Sequence, residues 1–245
     1  MDPERVQIEI ADGVADVRMV RADKHNGLDG AMFESLSEAI DQLADDDELR
    51  AVVLSGEGPS FCAGLDIKSF AASGGPDLLD REPGEVANLA QKVAYGWREK
   101  VAVPVIAAVH GACFGGGLQI ALGADIRIAA PDARLSVMEI VHGLIPDMSI
   151  TQTLPRLVAD DVARELVYTG RQVGAEEAQR IGLVTGVDDN PLEAAHELAA
   201  AIAERRPEAI RNAKRLLNEA PAMSAADALQ LESELQMQLL GALRA

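Results

Sequence analysis

The stretch that most narrows the folds open to this chain runs from Val105 to Gly123, Val-Ile-Ala-Ala-Val-His-Gly-Ala-Cys-Phe-Gly-Gly-Gly-Leu-Gln-Ile-Ala-Leu-Gly. Its first five residues are an unbroken apolar run of strand length, the pattern of a strand covered on both faces. After Gly115, Gly116 and Gly117 the residues Leu118, Ile120, Ala121 and Leu122 continue as an apolar helix of small residues. A strand that breaks at glycines and restarts as a helix leaves backbone N–H groups without partners, and no Cβ atoms hold a ligand away from them. The stretch predicts a layered sheet with a backbone site for developing negative charge.

The chain around it alternates between strands and helices. Val6 to Ile10 and Val14 to Val20 alternate apolar and polar residues on either side of Asp12-Gly13, which predicts a β-hairpin. Arg21 to Gly27 is polar and irregular, and Asp29 is placed to cap a helix carrying Phe33, Leu36, Ile40 and Leu43 on one face. The acidic cluster from Asp45 to Glu48 reads as a solvated exit, followed by a strand from Ala51 to Ser55. Gly56-Glu-Gly-Pro59 then turns the chain into Phe61-Cys-Ala-Gly-Leu-Asp-Ile67. Residues 71–84 read as a mobile loop, residues 85–99 as a helix, and residues 125–129 and 134–137 as strands. From Ser149 the pattern is helical nearly to the end, with breaks at Gly170, Gly182 and Pro207. Strands alternating with helices, then helices alone, predict an α/β core and an all-helical C-terminal part.

Composition excludes some partners. A formal net charge of −18 argues against nucleic acid or an anionic membrane surface, since phosphates need a basic face. With no apolar run near twenty residues and no charged-then-apolar leader, the chain is expected to be soluble and cytoplasmic. Cys62 and Cys113 are isolated thiols in apolar surroundings, which suits a reducing compartment. With 48% apolar residues but only 3% aromatic, the core must rest on Ala, Val, Leu and Ile.

Several chemistries lack their residues. The glycine stretch has no Lys-Ser/Thr ending for a P-loop, and no Gly-x-Gly-x-x-Gly follows a first strand. No His-Glu-x-x-His or paired Cys-x-x-Cys offers a metal site. His25, His110, His142 and His196 show no ligand spacing and read as surface or loop histidines. Ser60, in Gly-Pro-Ser-Phe-Cys, fails the nucleophile-elbow pattern at its last glycine.

Two glycine turns after two apolar strands remain: Ala63-Gly64-Leu65-Asp66 and Gly115-Gly116-Gly117. Here the chain resembles the crotonase superfamily, the enoyl-CoA hydratase/isomerase proteins. The resemblance runs from Asn26-Gly-Leu28 through Val-Val-Leu-Ser-Gly-Glu-Gly-Pro-Ser-Phe-Cys-Ala-Gly-Leu-Asp-Ile-Lys68 to the central stretch. It continues in Ala-Asp-Ile-Arg-Ile128, Gly143-Leu-Ile-Pro146 and Thr151-Gln-Thr-Leu-Pro-Arg-Leu-Val158. It implies a ββα spiral acyl-CoA-binding core over residues 1–190 and a helical region over residues 191–245 that packs trimers, often doubled to hexamers. It also implies that the N–H groups of Leu65 and Gly116 form an oxyanion hole around an acyl-CoA thioester oxygen, where they stabilise an enolate more than the neutral carbonyl. Otherwise these glycines would serve only tight strand–helix packing. No cofactor is expected beyond the coenzyme A of the substrate, and no metal.

The acid/base residues depart from the hydratase pattern. Hydratases carry a glutamate two residues after the glycine triplet, and this chain has Gln119 there, an amide that can hold a water or a substrate oxygen but cannot transfer a proton as a carboxyl does. The second hydratase glutamate matches Glu139. Asp147, eight residues further on, matches an aspartate of the dienoyl-CoA isomerases, which also have an aspartate at the Gln119 position. Asp147 could equally cap a helix starting near Ser149. Three activities follow from the resemblance: double-bond isomerisation of an enoyl- or dienoyl-CoA with Glu139 moving the proton, enoyl-CoA hydration, or acyl-CoA binding with weak catalysis.

Lys24, Lys68 and nearby Arg21 are expected phosphate contacts for coenzyme A, or else ordinary surface cations. Ala63, Asp66 and Ile67 would line the adenine and pantetheine path by resemblance, with Gly115 beside the oxyanion hole and Asp66 also able to open the following helix. Tyr95 and Trp97 could wall the acyl pocket or pack the core. Leu192, Ala195, Leu198 and Ile202 form an apolar stripe. Ser224 can cap a last helix bearing Leu229, Leu231, Leu235 and Leu239-Leu240, more apolar surface than a lone terminal helix would hide.

Overall fold

The predicted alternation appears in the computed structural model, which describes residues 1–73 and 78–242. The hairpin of β1 (Val6–Ala11) and β2 (Val14–Met19) turns through Asp12 and Gly13, both at positive φ, the conformation that matches strand twist in a two-residue turn. Helix α1 (Gly30–Ala44) starts at Asp29, whose carboxylate accepts the Met32 N–H at 2.9 Å. Strand β3 (Ala51–Gly56) follows, then α2 (Ile67–Ser73), α3 (Leu89–Glu99), β4 (Val105–Val109), β5 (Ala112–Phe114) and α4 (Gly116–Gly123). Next come β6 (Ile126–Ala129), β7 (Arg134–Ser136), a 3-10 turn over Met138–His142, α5 (Ile150–Thr153) and α6 (Asp160–Thr169). Short strands β8 (Val173–Gly174) and β9 (Gly186–Val187) flank α7 (Ala175–Arg180), and α8 (Pro191–Ala203), α9 (Pro207–Glu219) and α10 (Ala225–Ala242) end the chain.

The main sheet has the order β1-β2-β3-β4-β6-β9, antiparallel at β1/β2 and parallel at every other pair. A smaller sheet joins β5, β7 and β8. The unbroken apolar run in β4 is explained by layers on both sides. Val105, Ala107 and Val109 join Val52 and Leu54 of β3 in the core that contains α1 and α3. Ile106 and Ala108 join Ala51 and Val53 on the opposite face, under Ala195 and Ala199 of α8. Alternate residues of a strand point to opposite faces, so both sets must be apolar.

The structure differs from the sequence reading in four places. Residues 71–73 belong to α2 rather than a loop, and residues 74–77 of that expected loop lie outside the described residues. Helix α3 starts at Leu89, not near residue 85, because Asn88 and Gln91 form a reciprocal capping box that sets its first turn. Strands β8 and β9 interrupt the stretch read as helical; two residues each are too few to show a period. The stripe Ala195, Leu198 and Ile202 packs on the sheet, so α8, placed in the helical C-terminal region, forms a layer of the core. Asp125 and Lys214 tie α9 to the same core: Lys214 Nζ meets Asp125 Oδ2 at 2.9 Å and donates to the Trp97 and Val103 carbonyls.

Candidate active site

The first glycine turn is placed by Asn26. This residue is fully buried, at positive φ, and its Nδ2 donates to the carbonyls of Glu57, Ser60 and Phe61. Leu28 then lies beside Leu65 in a one-residue parallel bridge: Leu28 N–H donates to Gly64 O at 2.8 Å, and Asp66 N–H donates to Leu28 O at 2.9 Å. In such a bridge the flanking residues bond the partner and the middle residue's N–H points to the other side. The Leu65 N–H therefore faces away from Leu28, and it has no acceptor among the described residues.

The second turn supplies a matching donor. Gly115 adopts φ 51°, ψ −123°, a conformation open to glycine, and its N–H is taken by Ser136 O at 2.9 Å. Helix α4 starts at Gly116, and its first bond runs from Gln119 N–H to Gly115 O at 3.0 Å. The Gly116 N–H thus lies in the first turn, where no helical acceptor exists. The two turns are in contact. Gly64 is at φ +90°, and a Cβ added there would stand 2.7 Å from Phe114 O and 3.7 Å from Gly116 N.

Both turns open on one cavity of about 530 Å³, within the usual range of small-molecule sites. Leu65 and Gly116 form part of its wall, with Ala63, Gly115, Glu139 and Asp147. The rest is largely apolar, including Leu28, Phe33, Phe70, Leu144, Ile145 and Met148. Glu139, on the 3-10 turn, accepts the Gln119 Nε2 hydrogen bond on Oε1 at 2.6 Å, while its buried Oε2 has no partner among the described residues. Burial pushes the Glu139 carboxyl above the ordinary range, with nearby Asp147 adding to the rise and the Gln119 bond opposing it. Asp147, more exposed than Glu139, is also raised, through desolvation of its carboxyl. Two unpaired N–H donors near a proton-accepting carboxyl can polarise a carbonyl and move a proton next to it.

The structure brings seven of the expected site residues to the cavity: Ala63, Leu65, Ile67, Gly115, Gly116, Glu139 and Asp147. Others lie elsewhere. Gln119 is 1% exposed and stands behind the wall, because both ends of its amide are held, Nε2 by Glu139 and Oε1 by the Met148 N–H at 2.9 Å. Asp66 also leaves the wall. Its carboxylate accepts the Ser69 N–H, opening α2, and pairs with Arg21 at 2.9 Å, and these contacts hold it below the usual range. Arg21 is a brace, bonded to Gly27 O and Asp66, not a free cation. Lys24 and Lys68 are exposed and outside the cavity lining.

Two alternatives close on structural grounds. Asp147 does not cap α5, whose cap position is Ser149 at φ 67° with no side-chain cap bond. Trp97 is fully buried, donating to Val93 O, and neither it nor Tyr95 lines the cavity. His142 is exposed, as expected of a surface or loop histidine, and it also lines the cavity as the last residue of the Glu139 turn; its three-residue spacing from Glu139 was the available signal. Asn88, Gln91 and Arg81 also reach the cavity; the one sequence mark in that segment is the Asn88-x-x-Gln91 capping pair.

The chain matches the model of the enoyl-CoA hydratase/isomerase family over residues 9–242. It is 34% identical over 237 residues to the short-chain-enoyl-CoA hydratase of Clostridium acetobutylicum, covering 96% of this chain and 88% of that protein. It is 34% identical over 225 residues to the mitochondrial Delta(3,5)-Delta(2,4)-dienoyl-CoA isomerase of Rattus norvegicus, covering 86% and 68%. The crystal structure of the enoyl-CoA hydratase from Bacillus anthracis superposes with a TM-score of 0.86 at 32% identity, covering 97% of this chain and 91% of that one.

Proposed function

The chain belongs to the enoyl-CoA hydratase/isomerase family, and from that premise we propose that it shifts a double bond within an unsaturated acyl-CoA, with Glu139 as the acid/base group. The observation that carries this reading is the asymmetry of its carboxyls. Glu139 keeps one buried oxygen free with its carboxyl against Gly115 of the second glycine turn, and the residue hydrogen-bonded to its other oxygen is an amide.

In this reading the thioester oxygen accepts the Leu65 and Gly116 N–H groups. Glu139 Oε2 takes a proton from the carbon next to the thioester carbonyl. The C–H electron pair becomes a new C=C bond, and the carbonyl pair moves onto oxygen as an enolate. When the enolate collapses, the proton returns to a different carbon and the double bond has moved. One carboxyl suffices for this, and Asp147 on the cavity wall can hand a proton to the far end of a dienoyl group. The apolar wall receives the acyl chain, while exposed Lys24 and Lys68 attract the phosphates of coenzyme A. No cofactor is needed beyond that coenzyme A, and the two free thiols suit the cytoplasm.

The relatives named hydratases favour a second reading, in which water adds across the double bond. Incubation with crotonyl-CoA, 3-enoyl-CoA and 3,5-dienoyl-CoA separates the two. Isomerisation is expected to outpace hydration, and Glu139→Gln to lower its kcat by about 10²–10⁴-fold. Fast hydration of crotonyl-CoA that survives Glu139→Gln refutes the assignment.

A further inference from the structure

We infer that Gln119 is a positioning residue that selects which oxygen of Glu139 meets the substrate and keeps it in place whether or not Glu139 holds a proton. This rests on the role of Glu139 proposed above.

Three observations carry it. Gln119 Nε2 binds Glu139 Oε1 at 2.6 Å, which leaves only Oε2 without a partner. The opposite end of the amide accepts the Met148 N–H at 2.9 Å, so a flip would set an NH₂ group against an N–H donor and lose both bonds. Gln119 also sits on α4, the helix whose first residue is Gly116. One rigid element therefore holds the donor for the thioester oxygen and the clamp on the acid/base group.

The choice of an amide follows from the proton's path. Oε1 is an acceptor when Glu139 is ionised and remains one when the proton is on Oε2. An N–H donor suits both states, and nothing has to reorganise between the two proton transfers. An ionised carboxylate at position 119 would repel ionised Glu139 across the same gap. The clamp extends further through Met148, whose neighbour Asp147 belongs to the same loop, and Ser149 Oγ anchors that loop to Gln91 O at 3.2 Å.

The titratable groups acting on Glu139 are Asp147, from the following loop, and His142, on the same turn. Helix α4 contributes only the neutral amide, and α6, packed against the turn, has only Ala163 and Leu166 among its buried side chains.

The test uses Gln119→Glu, which retains an acceptor for Met148 N–H, and Gln119→Met, which removes both bonds at similar length. In each variant the acidic limb of the kcat profile is expected to move up by about one pH unit or more. KM for the acyl-CoA should change less than about twofold, since Gln119 does not touch the cavity. Titration of the ¹³C-labelled Glu139 carboxyl, assigned by its loss in Glu139→Gln, should move in the same direction. A raised KM with an unmoved pH limb would make Gln119 a substrate contact and overturn the inference, as would an unmoved Glu139 titration in both variants. Should the wild type turn over none of the three acyl-CoAs, the proposed function fails, and the carboxyl titration still reads the clamp on its own. If Gln119→Met does not fold, Gln119→Glu decides.

Discussion

At the scale of single residues, the site holds groups in states that cost stability. Glu139 is kept above the ordinary carboxylate range, chiefly by burial. A carboxyl whose folded pKa is raised adds stability below its unfolded pKa, near 4.3, and that contribution is lost as pH rises through the folded value. Replacing it by an uncharged isostere should therefore help at neutral pH. Glu139→Gln is expected to unfold at higher urea than wild type at pH 7, with the gap closing below about pH 4; equal midpoints at both pH values would argue that the carboxyl is not strained. Gly64 makes the opposite point. A side chain there would have to adopt φ +90° and press a Cβ to 2.7 Å from Phe114 O. Gly64→Ala should displace the Leu65 N–H from Gly116, lowering kcat by about 10²-fold with a stability loss of about 1–3 kcal/mol, read by kinetics and urea melts.

At the scale of elements, the hairpin, β3, β4 and α1 were legible because each has a period or a capping signal: Asp12-Gly13, the apolar run 105–109, and Asp29 ahead of Phe33, Leu36, Ile40 and Leu43. The apolar pattern alone does not place the start of α3; the capping pair Asn88-x-x-Gln91 does. The two-residue strands β8 and β9 exist only because β7 and β6 offer them edges. Helix α9 buries one residue, the charged Lys214, while Arg211 and Asn218 add hydrogen bonds to the Leu49 and Arg98 carbonyls. Lys214 is held by Asp125 and two carbonyls, and burial pulls its ammonium below the usual range, with Asp125 opposing. Lys214→Met leaves the Asp125 carboxylate unpaired and is expected to cost roughly 3 kcal/mol in urea unfolding. A loss under about 0.5 kcal/mol would show α9 docked by other contacts.

At the scale of the whole molecule, the unresolved demand is on the surface. No helix among the described residues is long and apolar enough to cross a membrane. On α10, Leu231 and Leu235 are buried while Leu229 and Met237 are 61% and 62% exposed, and Leu217 on α9 is 72% exposed. These exposed apolar side chains on two packed terminal helices offer a surface for self-association. Sedimentation velocity is expected to give a trimer or hexamer, and Leu229→Glu with Met237→Glu to shift it toward monomer. A wild-type monomer at micromolar concentration would remove the assembly reading.

The candidate acid/base positions came from the resemblance to the crotonase superfamily; local chemistry by itself determined the two glycine turns, the strand and helix that flank the second, and the apolar layers. Each follows from residue type and spacing along a few consecutive residues, so it is written into the chain directly. Only the tertiary structure decided which of these meet. The Leu28–Leu65 bridge fixes the first turn, and the Cys62–Cys113 bridge, in which the Cys62 N–H donates to Ala112 O and the Phe114 N–H to Cys62 O, sets it beside the second. The same packing buried Gln119 behind Glu139, drew Asp66 and Arg21 into a brace, and put His142 on the cavity wall. Those outcomes depend on where long-range backbone bonds place each side chain relative to water, and no run of neighbouring residues specifies that.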